Sequence, residues 1–259
     1  MNTSIFIATG GAFHCTPDIW GSPGSLTPLT RVYSPISGQA WVELGGQRTT
    51  IVPGGLYLIP PHHSLAYAPD PEMMLNWFHF MPASPLVDAR LTSLRAVHCF
   101  DAKVSDRWVP VMRDGSDFFK APSPGLTFRV QAMLSELIGL LMDTIPDAPP
   151  DKRLMPALRY MDDHVMETVL LADIASSAGL SPEHFHRLFR AQFDTTPFEF
   201  LLRRRMAKAR QRLSGGAYSV KEVAAQCGYD DPYYFSRVFR RHFHCTPRDV
   251  RSGKTRPRP

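Results

Sequence analysis

The chain has 259 residues, 44% of them hydrophobic, enough for two ordinary domains that each bury a core. Its net charge of +5 is unevenly held: residues 1–150 carry 9 Lys and Arg against 12 Asp and Glu (−3), and residues 151–259 carry 20 against 12 (+8). A basic C-terminal half points to a polyanionic partner, while four cysteines scattered singly speak against a disulfide framework and a zinc ribbon.

The chain opens MNTSIFIATGG, without a basic region before a long apolar run, and no stretch reads as long enough to span a bilayer. The expectation is a cytoplasmic protein with neither export nor membrane insertion. Residues 29–82 then read as strands: Gln39 to Leu44, a Gly45-Gly46 turn, Gln47 to Val52, Pro53-Gly54-Gly55, and Leu56 to Ile59. A Gly-Gly pair between strand-like runs is a hairpin signal. Between residues 128 and 143, Val130, Met133, Leu134, Leu137, Ile138 and Leu141 recur every three or four residues, which predicts a helix whose apolar stripe is either core or a dimer seam. The run Ile145-Pro146-Asp147-Ala148-Pro149-Pro150-Asp151 forbids a continuous helix and marks a boundary. The expected division is a domain over 1–145, a linker over 146–152, a domain over 153–250 and a basic, disordered tail over 251–259.

The C-terminal half repeats itself. Residues 171–197 read LADIASSAGLSPEHFHRLFRAQFDTTP and residues 220–247 read VKEVAAQCGYDDPYYFSRVFRRHFHCTP. With one extra residue in the second turn, Phe185, Arg187, Phe189, Arg190 and Phe193 match Phe235, Arg237, Phe239, Arg240 and Phe243. Each copy parses as helix, tight turn, helix. Gly179 and Gly228 stand where the first helix ends with positive φ, and Ser181-Pro182 and Asp231-Pro232 supply an oxygen-bearing cap followed by proline at the first helical position. Ser219 with Glu222 forms a capping box before the second copy, but Leu170 holds the equivalent place in the first.

On the second helix of each copy the phenylalanines face inward. The opposite side offers Glu183, His186, Arg187 and Arg190, or Tyr233, Ser236, Arg237, Arg240 and Arg241. A slim helix with an aromatic back and a cationic front suits the major groove, where Arg bonds two acceptors of guanine. For each Arg the competing interpretation is a solvated charge, and for each Tyr a partly buried ring. The arginines around Arg203 to Arg212 surround their helix, so only a subset can reach phosphate.

The segment GYDDPYYFSRVFRRHFHCTPRDVR resembles the C-terminal signature of AraC-type transcription regulators, a likeness extending over about residues 151–250. The resemblance implies seven helices, two recognition helices and a connecting helix, here Phe198 to Leu213, whose 16 residues span about 24 Å. It also implies base contacts from Glu183, His186 and Arg187, and from Tyr233, Tyr234 and Arg237.

Upstream, PGGLYLIPPHHSLAY and NWFHF resemble the cupin-type ligand-sensing barrel that precedes many AraC-type DNA-binding halves. The expected fold is therefore α+β with two domains, a cupin-like β-barrel with flanking helices and an all-α pair of helix-turn-helix units. Metal-dependent cupins carry an HxH pair that SGQAWVELGG lacks. His62 and His63 are adjacent and would point to opposite faces of a strand, so neither a metal nor another cofactor is expected. Arg31, Trp41, Tyr57, Tyr67, Trp77 and His79 are candidate contacts for a small polar effector such as a sugar, or else barrel core. The function implied is a sequence-specific regulator, an activator by resemblance, and not an enzyme. Its expected partners are double-stranded promoter DNA, RNA polymerase, the effector and a second copy of the chain. The alternatives are a ligand-independent DNA binder, a repressor, or a cupin enzyme with an appended domain.

Overall fold

The computed structural model describes residues 4–25, 29–61, 63, 65–115, 123–144, 151–193, 195–214, 216–243 and 245–252. They form two units. The expected linker and tail fall largely outside the described residues.

The first unit contains the strands β1 (Ile5–Cys15), β2 (Ser22–Ser25), β3 (Thr30–Leu44), β4 (Gln47–Ile51), β5 (Tyr57–Ile59), β6 (Leu65–Pro82) and β7 (His98–Cys99). They make one antiparallel sheet in the order β1-β6-β3-β5-β7, with β2 added to β6 and β4 to β3. Among the described residues no pairing joins β7 to β1, so the sheet is not closed into a barrel by its hydrogen bonds. The Gly45-Gly46 hairpin is present, with Leu44 opposite Gln47 and both glycines at positive φ. β3 and β6 are longer than the short strands expected because bulges carry them through bends. At one bend Gly38 has φ 70°, and a Cβ there would lie 2.1 Å from the Glu72 carbonyl oxygen, so only glycine lets the two strands meet.

One face of this sheet gathers Trp20, Tyr33, Val42, Leu44, Ile59, Leu65, Leu75 and Trp77 into a core, all but free of solvent. Two further helices belong to the unit, α2 (Ala102–Asp114) and α3 (Pro124–Thr144), and α1 (Pro85–Thr92) precedes them in the chain. Asp101 caps α2 by accepting the Val104 N–H at 2.9 Å. On α3 the predicted stripe is buried, from Val130 to Leu141, which makes it core rather than an exposed seam. At 21 residues α3 is long and apolar enough by length and composition to cross a membrane, which corrects the expectation that no stretch would be. Its stripe faces protein, however, and Arg129 and Glu136 on its other sides pair with Asp114 and Arg107.

The second unit holds α4 (Leu154–Asp163), α5 (Leu171–Ser177), α6 (Pro182–Phe193), α7 (Pro197–Ser214), α8 (Val220–Gln226), α9 (Pro232–Phe243) and α10 (Pro247–Arg251), together with α1. The inclusion of α1, encoded between β6 and β7, is not what chain order indicates. Two cores result. One collects Leu158, Ile174, Phe185, Phe189 and Phe193, with Ala89 of α1, and the other Val223, Ala224, Phe235, Phe239 and Val250. α7 serves both, giving Phe200 and Leu201 to the first and Met206, Ala209 and Leu213 to the second. Its 18 residues make a rod of about 27 Å.

Candidate nucleic-acid interface

The repeated sequence folds twice into the same local structure. α5 ends with Gly179 at φ 66° and α8 with Gly228 at φ 77°. In each case the glycine and the residue after it close a Schellman turn: Gly179 N–H to Ser176 O and Leu180 N–H to Ala175 O, then Gly228 N–H to Ala225 O and Tyr229 N–H to Ala224 O. Ser181 then accepts the His184 N–H at 3.3 Å, and Asp231 accepts the Tyr233 N–H at 2.8 Å, starting α6 and α9. Along each of these helices the phenylalanines stack every fourth residue. Ring centroids are 5.5 and 4.7 Å apart over Phe185, Phe189 and Phe193, and 5.7 and 4.7 Å apart over Phe235, Phe239 and Phe243.

With the aromatic side fixed inward, the helical period turns the candidate side chains out. Glu183, Arg187 and Arg190 are exposed on α6, with His186 half-buried beside them. On α9, Tyr233, Tyr234, Arg237, Arg240 and Arg241 are exposed, Tyr233 by 84%. A large aromatic so open to water is uncommon for core packing and is free to meet a ligand. Tyr234 is not simply exposed: the Arg237 guanidinium lies over its ring at 5.5 Å, and Tyr229 supports that ring at 5.7 Å between centroids. Tyr234 is thus packed between Arg237 and Tyr229, a contact its exposure alone does not reveal.

The basic cluster of α7 divides as its periodicity requires. Arg204 is fully buried and bonds Asp88 at 3.2 Å and Asp162 at 2.8 Å. Arg203 donates to Thr195 at 3.2 Å and Arg210 to the Cys245 sulfur at 3.3 Å, beneath the Phe243 ring. Arg205 donates to the carbonyls of Val165 and Glu167, and burial holds its guanidinium pKa below the usual arginine value. These arginines fix the rod between the two helix-turn-helix units, leaving α6 and α9 to present cations outward.

In the first unit, β3 and β6 run side by side with Arg31 opposite His79 and Tyr33 opposite Trp77. Opposed residues share a face, so these four point the same way. The Tyr33 hydroxyl lies 3.4 Å from His79 Nε2, and the rings of His79 and Trp77 are 4.6 Å apart. Trp20 extends the cluster toward Tyr67, 4.6 Å between centroids. Burial pushes the Tyr33 phenol well above its ordinary pKa, an effect the Arg31 charge only partly offsets. Tyr57 joins the same core, but its hydroxyl accepts the Val52 N–H at 3.1 Å and serves the turn before β5. Trp41 lies outside that core, beneath the Arg48 guanidinium at 3.9 Å, and is not brought together with the other candidates.

Residues 35–158 match the family description AraC-like ligand binding domain, and residues 174–253 match a helix-turn-helix domain. The HTH-type transcriptional activator RhaS of Citrobacter koseri is 39% identical over 104 residues, and that of Klebsiella pneumoniae is 36% identical over the same length. The chain belongs to the AraC-type family of transcription regulators. Either match covers 40% of the chain and 37% of the relative, so the likeness spans little more than a third of those proteins. The fold as a whole is similar to that of ToxT from Vibrio cholerae. A crystal structure with unsaturated fatty acid bound has a TM-score of 0.59 at 12% identity, covering 95% of both chains. Another, of strain O395, reaches 0.62 at 11% identity, covering 96% of this chain and 98% of that one.

In this AraC-type chain several working residues escaped the sequence reading. Thr196 with Glu199 and Thr246 with Asp249 form reciprocal capping boxes at the starts of α7 and α10. The Thr-Pro pairs were visible in both repeats, and an acid three residues after each threonine was the available signal. Tyr33 stands two residues from Arg31 on one strand face and was equally accessible to that reasoning. Trp20 carried no such signal.

Proposed function

We propose that the protein is a sequence-specific transcription regulator that inserts α6 and α9 into successive major-groove segments of promoter DNA, acting in the cytoplasm as an activator. The observation that carries this reading is the pair of helices with one Phe ladder inward and one cationic row outward, joined by a rod whose own arginines are committed to protein. Arg187 and Arg237 stand at equivalent exposed positions and are the first choices for bidentate contacts to guanine. Glu183, His186, Tyr233 and Arg190 flank them, and Arg240 and Arg241 reach toward phosphate. Activation is supported by relatives that are named transcriptional activators, and contact with RNA polymerase is part of the same reading.

The first unit is read as a cupin-like barrel whose inner face, with Arg31, Tyr33, Tyr67, Trp77 and His79, receives a small polar effector, a sugar being the first expectation. Effector binding shifts the population of DNA-binding arrangements, which requires unequal affinity for the two states. A second copy of the chain completes the regulator, for which α3 offers Phe128, 75% exposed. The test retains fragmented genomic DNA on the full chain and sequences it, with Arg187→Ala and Arg237→Ala alongside. One motif of two short elements about a helical turn apart is expected, each variant relaxing one element at a cost of about 1–3 kcal/mol. Retention without a motif, equally strong in both variants, would refute sequence-specific reading.

A further inference from the structure

The inner face of the sheet has unmet hydrogen-bonding capacity of one kind. The indole N–H groups of Trp20 and Trp77 are buried without an acceptor among the described residues. Arg31 is 4% exposed, lies on the same face as Tyr33 and His79, and forms no ion pair with an acid among the described residues. Among the described residues the buried polar side chains of the first unit include no Asp or Glu. The polar oxygens left unpaired nearby, on Thr30, Ser34 and Asn76, alternate with Arg31, Tyr33 and Trp77 along β3 and β6 and therefore belong to the opposite face.

A guanidinium and two indole N–H groups can only donate. A neutral sugar presents hydroxyls that donate as well as accept, and needs acceptors across the site. A carboxylate only accepts, matches the planar fork of arginine, and supplies the negative charge that Arg31 does not meet among the described residues. We infer that the effector of this protein is an acid, held by its carboxylate on Arg31 with Trp20 and Trp77 as further donors or ring walls. This rests on the effector-sensing reading of the first unit and replaces the neutral sugar with an anionic ligand. A sugar acid and an aliphatic acid share that chemistry.

Two measurements on the full chain test it. The first needs no ligand: because Arg31 is buried with no acid paired to it among the described residues, Arg31→Met raises the unfolding midpoint by about 2–4 °C. A lowered midpoint would mean that Arg31 is a structural partner of the protein and would overturn the proposal. The second titrates matched probes, galacturonate against galactose and octanoate against octanol, followed by calorimetry. The acid of one pair binds at least about tenfold tighter than its neutral partner, a difference of about 1.4 kcal/mol. Which pair responds identifies the source. In Arg31→Gln the preference collapses, and Arg31→Lys restores part of it, since the charge returns without the fork. Equal or tighter binding of the neutral member, or a preference that survives Arg31→Gln, overturns the acid and leaves the effector reading standing. An acid that binds through Arg31 without changing DNA affinity removes the effector reading and leaves the acid site.

Discussion

Replacing Arg204 tests how the helical unit is assembled, because this side chain is fully buried and joins three helices. Its partner Asp88 on α1 is 1% exposed, so Arg204→Ala strands a carboxylate without its cation, a change that costs about 3–5 kcal/mol. Asp162 is different: its side chain is 27% exposed and Lys208 stands 3.6 Å away, so Asp162→Asn costs no more than about 1 kcal/mol. Urea unfolding of the full chain, followed by its helical signal, reads both. With a slope of about 2 kcal/mol per molar, Arg204→Ala lowers the midpoint by about 1.5–2.5 M and Asp162→Asn by less than about 0.5 M. The double variant Asp88→Leu/Arg204→Met removes both charges together and recovers most of the loss. Equal costs for Arg204→Ala and Asp162→Asn, or a double variant no more stable than Arg204→Ala, would show that the buried pair does not hold α1 in place. A fragment beginning at residue 151 lacks Asp88 and Ala89, and is predicted to be less stable than the helical unit of the intact chain.

Three further outcomes follow from the second unit. If Tyr234 orients Arg237 through its ring, Tyr234→Phe keeps DNA affinity, Tyr234→Leu loses about two- to fivefold, and that loss disappears in an Arg237→Ala background; a loss in Tyr234→Phe would instead assign a base contact to the hydroxyl. Ser219→Ala removes the cap of α8 and costs about 1 kcal/mol, whereas Leu170→Ser, at an exposed cap position without a side-chain bond, stabilises α5 by a comparable amount in thermal melts. Hydrogen bonds from Thr196, Ser219 and Thr246 hold Glu199, Glu222 and Asp249 below their ordinary pKa values. Because those native values are depressed, the stabilisation is complete above the unfolded values near 4 and is lost as pH falls through the lowered ones. Melting midpoints should therefore decline in that acid range, and less steeply in Glu222→Gln; identical profiles would remove the caps as the cause.

The helix-turn-helix pair was legible because its determinants are local. Gly179, Gly228, Ser181, Asp231 and Ser219 act on backbone groups within a few residues, and a 3.6-residue period fixes which side chains oppose the phenylalanines. The Gly45-Gly46 hairpin and the α3 stripe were read for the same reason. Trp41 shows where such reasoning stops. Its residue type fits a binding pocket as well as Trp77 does, but bulges in β3 change the alternation, so the face it occupies depends on pairing with β6.

The sequence by itself determined the two helix-turn-helix units, their caps and the outward cationic rows, since short-range hydrogen bonding and periodicity suffice for these. Only the tertiary structure decided that α1 joins the helical unit, that Arg204 is spent on Asp88 rather than on phosphate, and that Arg31 shares a buried face with Tyr33 and His79. Those facts depend on contacts between residues far apart in the chain, where burial and charge pairing override what any local pattern prescribes.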